Sequence, residues 1–147
     1  MASLDYVLDA SVGLQLYIPN PLSNKATRLV GCLSDPANRL SVPDLFYVEV
    51  ANALWKYARA GQLTQATVLA NLADLKALPF SAHATSELIE PAARIGMAHG
   101  ITAYDASYVA LAWLRDAPLL TLDRKLVEAL ANSPYPVQLF SEFELPR

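Results

Sequence analysis

Leu4-Asp5-Tyr6-Val7-Leu8-Asp9-Ala10-Ser11 is the stretch that decides the fold. Residues 4–8 read as a short buried strand that closes on an acid, Asp9. A helix is expected over 10–17, stopping before Pro19-Asn20-Pro21, a strong breaker. The same alternation recurs outward from this unit. Ser23 is the expected cap of a helix over 23–33, ended by Ser34-Asp35-Pro36. Residues 39–42 read as a strand, and Pro43-Asp44 opens a helix to Arg59 with Gly61 as its stop. Thr64 caps a helix through about Leu78, and Pro79-Phe80-Ser81 is a further strand candidate. Residues 84–99 are helical in pattern, with Pro91 predicting a kink or a division and Gly100 the end. Thr102 caps a helix towards Arg115, residues 118–122 form a strand, 124–131 a helix and 137–140 a last strand. Short strands alternating with longer helices predict a three-layer α/β/α sandwich with a short, mainly parallel central sheet.

The 147 residues suit a single domain, 1–147, with a real core. Hydrophobic residues make up 54% of the chain, yet Arg, Lys, Asp or Pro interrupts every apolar stretch before it could span a bilayer. Met1-Ala2-Ser3-Leu4-Asp5 lacks the basic region of a signal peptide. The single Cys32 excludes an internal disulfide framework and reads as a core thiol. A cytoplasmic protein without a membrane partner is expected. A net charge of −3 argues against strong nonspecific binding of nucleic acid. It does not exclude a metal-dependent nuclease, because bound divalent metal reverses the sign locally.

Four acids interrupt or end apolar runs. Asp9 closes the first strand, and Glu49 lies inside Leu45-Phe46-Tyr47-Val48-Glu49-Val50-Ala51. Asp105 opens Asp105-Ala106-Ser107-Tyr108-Val109-Ala110-Leu111-Ala112, and Asp123 follows Leu119-Leu120-Thr121-Leu122. Burying an ionised carboxylate without a partner is very costly. Brought together, the four would repel one another and call for a cation, and hard oxygen donors suit magnesium or manganese. In open α/β sheets ligands bind beyond the carboxyl ends of the strands, where Asp9 and Asp123 fall. Glu49 and Asn52 are three apart and share a helix face. Asp105 belongs to a first helical turn, which favours an anion. Ser11 and Thr121 lie two residues from Asp9 and Asp123, placed to orient ligands from behind. Such a pocket suits phosphodiester hydrolysis, in which bound metal activates water and a second ion, roughly 4 Å away, stabilises the leaving oxygen. Taken singly, the acids also have structural accounts: Asp9 or Asp123 as an ordinary helix cap, Asp105 as a complement to a helix dipole.

The segments Val7-Leu8-Asp9-Ala10-Ser11, Val48-Glu49-Val50-Ala51-Asn52-Ala53-Leu54, Tyr104 through Ala112 and Leu120 through Leu126 resemble, in order and spacing, the signatures of PIN-domain proteins. Within that group the chain looks most like the VapC-type toxins of toxin–antitoxin pairs. The resemblance implies a magnesium- or manganese-dependent endoribonuclease acting on structured RNA of the tRNA or rRNA class. It also implies a small antitoxin partner and a homodimer. By position, Asp9, Glu49, Asp105 and Asp123 match the family's catalytic, metal-holding acids, and Ser11, Asn52 and Thr121 its accompanying polar positions. The rival readings are a PIN-type nuclease in RNA maturation or on structured DNA, and a non-catalytic PIN interaction domain.

Other conspicuous residues carry less. His83 and His99 are too isolated for a zinc site. Trp55, Tyr57, Tyr104, Tyr108 and Trp113 read as core or interface rather than as platforms for bases. Lys56, Arg59, Arg124 and Lys125 adjoin the acids; they read as solvated faces, with contact to a phosphate as the alternative. The high apolar content suggests that another chain covers some surface, with Leu45, Phe46, Leu54 and Trp55 on the candidate faces.

Overall fold

In the computed structural model, which describes residues 3–146, the first strand, β1 (Asp5–Leu8), lies at the centre of the sheet. The others are β2 (Arg39–Pro43), β3 (Ser81–His83), β4 (Leu119–Thr121) and β5 (Val137–Leu139), in the spatial order β3-β2-β1-β4-β5. All four ladders are parallel, with Val7 opposite Ser41 on one side and Leu119 on the other. Central parallel strands are covered on both faces and therefore tolerate continuous apolar sequence. Val7, Leu8, Leu119 and Leu120 are fully buried accordingly.

Seven α-helices accompany the sheet among the described residues. They are α1 (Ala10–Gly13), α2 (Ser23–Gly31), α3 (Leu45–Arg59), α4 (Gln65–Ala77), α5 (Ile89–His99), α6 (Ala103–Arg115) and α7 (Arg124–Ala129). Strand order steps one way from β1 to β3, then jumps back past β1 to β4 and β5. Right-handed crossovers therefore put α1 to α4 on one face and α5 to α7 on the other. The result is the expected α/β/α sandwich. β1 and β4 are neighbours whose chains leave towards opposite faces, which opens a crevice beyond their carboxyl ends.

Local chemistry explains where the elements depart from expectation. Ser23 does not cap α2: Leu22 holds that position, and Ser23 Oγ instead donates to the Ile18 carbonyl and accepts from the Asn20 N–H. The helix expected over 10–17 is α only through Gly13 and tightens to a 3₁₀ turn at Leu14–Leu16. The third strand lies at Ser81–His83, after Pro79, which has no N–H to give a ladder. The segment expected to be helical over 84–99 is divided at Leu88 into a 3₁₀ turn, Thr85–Glu87, and α5, and Pro91 falls in the first turn of α5, where N–H groups have no partner within the helix. Phe46 and Leu54 belong to the core with Val50, on an i, i+4, i+8 stripe of α3, not to an outward face. Cys32 is only partly buried, its thiol directed at the Arg28 carbonyl.

The joint between α5 and α6 is tight. A Cβ on Gly96 would stand 2.7 Å from the Ile101 carbonyl oxygen, a backbone atom with little freedom to retreat. Gly96→Ala is expected to destabilise the protein by about 1–2 kcal/mol. Overpacking costs about 1–3 kcal/mol, and the better helix former returns only part of it. Urea denaturation at two wavelengths would measure this, and an unchanged midpoint would mean the joint can slide.

Candidate active site

The crevice between β1 and β4 holds a cavity of roughly 880 Å³ whose lining includes Asp9, Ser11, Glu49, Asn52, Asp105 and Asp123. Each acid arrives on a different element. Asp9 sits between β1 and α1 with extended backbone, φ −75° and ψ 151°. This is the N-cap position, but its side chain makes no capping bond. Oδ2 instead accepts from Ser11 Oγ at 2.6 Å and from Thr121 Oγ1 at 2.8 Å. Both hydroxyls are themselves fixed, since Ser11 Oγ accepts from the Leu122 N–H at 3.0 Å and Thr121 Oγ1 from the Asp123 N–H at 3.1 Å. This network stitches the exit of β4 to the exit of β1. Asp123 does cap its helix, α7, with Oδ1 accepting from the Leu126 N–H at 3.2 Å, while also lining the cavity.

Glu49 points from α3, and the buried Tyr108 hydroxyl on α6 donates to its Oε1 at 2.6 Å. Asp105 lies in the first turn of α6, where its N–H donates to the cap Thr102 at 3.2 Å. Asn52 lies one turn beyond Glu49 on the lining face of α3. Tyr108 is the residue that sequence reasoning missed. It stands three positions after Asp105, on the same helix face, but the apolar run around it made it read as core.

Burial raises the pKa of Asp9, against the lowering effect of its two hydroxyl partners and with a smaller upward push from Asp123. Glu49 is raised by burial, opposed by the Tyr108 hydrogen bond and assisted by Asp9 and Asp105. Asp105 is raised by burial, then by Asp9 and Asp123. The same surroundings hold Tyr108 far above the ordinary tyrosine range, chiefly by burial, so it remains a proton donor to Glu49. The acids thus feel one another's charge. Neither ion pair among the described residues, Arg94–Glu90 or Arg115–Asp5, involves any of them.

A hard cation is the natural counter-charge for such oxygens. Among the described residues no group of three His, Cys, Asp or Glu side chains is gathered tightly enough to hold an ion directly. Magnesium commonly takes one or two carboxylates and keeps several waters. Four carboxylates lining one cavity without ion-pair partners among the described residues are the oxygen donors such an ion would need, with water completing its shell.

A parallel α/β sandwich with acids collected at its topological switch point defines the class of protein. The PIN domain family model matches residues 6–131, and the chain belongs to that family. It is 42% identical over 126 residues to Ribonuclease VapC3 of Pyrobaculum aerophilum, covering 83% of this chain and 92% of that one. Among solved structures it is similar to PAE2754 of Pyrobaculum aerophilum, with TM-score 0.69 and 26% identity over 96% of this chain and 89% of the other. A toxin–antitoxin complex from Klebsiella pneumoniae shares the fold, with TM-score 0.62 and 18% identity over 96% of this chain and 100% of that one.

Proposed function

We propose that this chain is the toxin of a type II toxin–antitoxin pair, a magnesium- or manganese-dependent endoribonuclease that cuts structured RNA of the tRNA or rRNA class. One observation carries the reading: Asp9, Glu49, Asp105 and Asp123 line one cavity with no ion-pair partner among the described residues. Similarity to a VapC ribonuclease supports the reaction, and the shared fold of a toxin–antitoxin complex supports an antitoxin partner. The proposed RNA target accords with a cytoplasmic location. No helix among the described residues is long and apolar enough to cross a membrane. The side chains of Met97, Trp113 and Leu114, each more than half exposed, support a homodimer, which light scattering would check.

Asp9, Glu49, Asp105 and Asp123 would hold a hard divalent cation, which would supply a lowered water pKa and neutralisation of charge on the phosphate. The chain's own part is orientation. Ser11 and Thr121 fix the Asp9 carboxylate, Tyr108 fixes Glu49, and the N-terminus of α6 holds Asp105 in a favourable field. Burial and the neighbouring acids raise the pKa of Glu49 and Asp105, and a bound cation would relieve that electrostatic cost.

The test is total cellular RNA incubated with the purified chain, with magnesium or manganese and with EDTA. Discrete internal fragments that require the metal are expected. Intact RNA from folded, metal-supplied, antitoxin-free protein would overturn the reading. Tyr108→Phe is expected to weaken manganese binding, read by calorimetry, by roughly tenfold and to slow cleavage by a similar factor. Unchanged manganese affinity would make Tyr108 a packing residue only.

A further inference from the structure

The cavity is longer than four acids require. It continues along the lining face of α3, past Asn52 and Ala53 to Lys56, and Tyr104 at the start of α6 lines it too. Tyr104 is 67% exposed, although its neighbourhood in sequence reads as core. Lys56 is the one cation among the lining residues, and it joins neither ion pair of the described residues. It lies seven residues beyond Glu49, on the order of 10 Å along the helix axis. That offset along the helix places Lys56 further along the cavity than the acids, where a neighbouring phosphate of the same strand could meet it.

Along one wall the chemistry therefore runs from carboxylates to an amide to an ammonium group, with an exposed aromatic ring in the same cavity. A polynucleotide presents a matching order of groups: a phosphate, a neighbouring phosphate and a flat base. We propose that Lys56 and Tyr104 form a subsite for the nucleotide beside the scissile bond. Lys56 contacts its phosphate and Tyr104 stacks on its base. The base must be unpaired, because one stacked inside a duplex has no free face to offer. The inference rests on the ribonuclease reading and assigns that site two positioning residues outside its acids.

The experiment measures anisotropy of a fluorescein-labelled, unstructured oligoribonucleotide and of the same strand hybridised into a duplex. The full chain, Lys56→Ala, Tyr104→Ala and Tyr104→Phe are compared, and cleavage kinetics are followed in parallel. Tyr104→Ala is expected to weaken single-strand binding by roughly tenfold, the loss of one base stack, and to leave duplex binding unchanged. Tyr104→Phe keeps the ring and should behave like the parent. Lys56→Ala should weaken binding and reduce the slope of log affinity against log salt by about 0.7, one phosphate contact. In cleavage, KM should rise while kcat holds. Parent-like binding and KM in both alanine variants would overturn the subsite while the ribonuclease reading stands. So would variants that bind RNA normally but lose a protein partner, since the cavity would then serve a polypeptide. If the parent chain neither binds nor cuts RNA, the ribonuclease reading itself fails and takes the subsite with it.

Discussion

Asp105→Asn is expected to reduce RNA cleavage by at least about a hundredfold with the fold intact. The carboxylate contributes charge to a site where stabilising the transition state is worth several kcal/mol, and each 1.36 kcal/mol is a factor of ten. The amide keeps the size of the side chain. It also leaves the Asp105 N–H free to donate to Thr102, so the start of α6 is preserved. The buried residues that follow, Ala106 to Ala112, are untouched. Single-turnover cleavage at saturating magnesium, with a melting curve on the same preparation, separates chemistry from folding. A variant retaining more than about a tenth of the parent rate would remove Asp105 from the catalytic group.

The parts of this molecule visible in its sequence are those whose signal is local. Asp9 and Asp123 follow apolar runs that pair as central parallel strands, and once β1 and β4 are neighbours both fall at one crevice. Thr64, Thr102 and Gly100 act within a single turn, and each ends or starts its helix as read. The obscured parts depend on partners distant in the chain. Tyr108 gains its meaning from Glu49, fifty-nine positions away. β3 is short, polar and at the sheet edge, so no periodicity marks it. Tyr104 and Tyr108 sit one turn apart in the same apolar-looking segment, yet one is exposed and the other buried. Residues four apart share a helix face, so the difference is position along α6: Tyr104 stands in its exposed first turn and Tyr108 in the buried middle.

Asp9→Asn is the sharper discriminator, because it is expected to impair function and improve stability together. Asp9 is buried, and its pKa in the folded protein lies above the ordinary value of 3.8 despite the hydroxyls that favour the charged form. A raised carboxylate pKa means that the folded state resists ionisation. The associated stability is fully present below the unfolded pKa and is lost as pH rises through the folded one. Glu49 and Asp105 shift in the same direction. Without divalent metal, the parent should therefore lose stability as pH climbs from about 4 towards neutrality. In Asp9→Asn that contribution disappears. The amide oxygen can still accept from Ser11 and Thr121, so the network closing β1 onto β4 survives. At neutral pH in chelator the variant should be more stable by roughly 1 kcal/mol, or about 2–4 °C in Tm. Near pH 4 the two should converge. Magnesium should raise the Tm of the parent more than that of the variant, since a ligand stabilises the state that binds it. Thermal melts across pH, with and without magnesium, test all three points. A lower Tm for the variant in chelator at neutral pH would make Asp9 a structural carboxylate, held for the hydrogen bonds between its two strands and not for a cation.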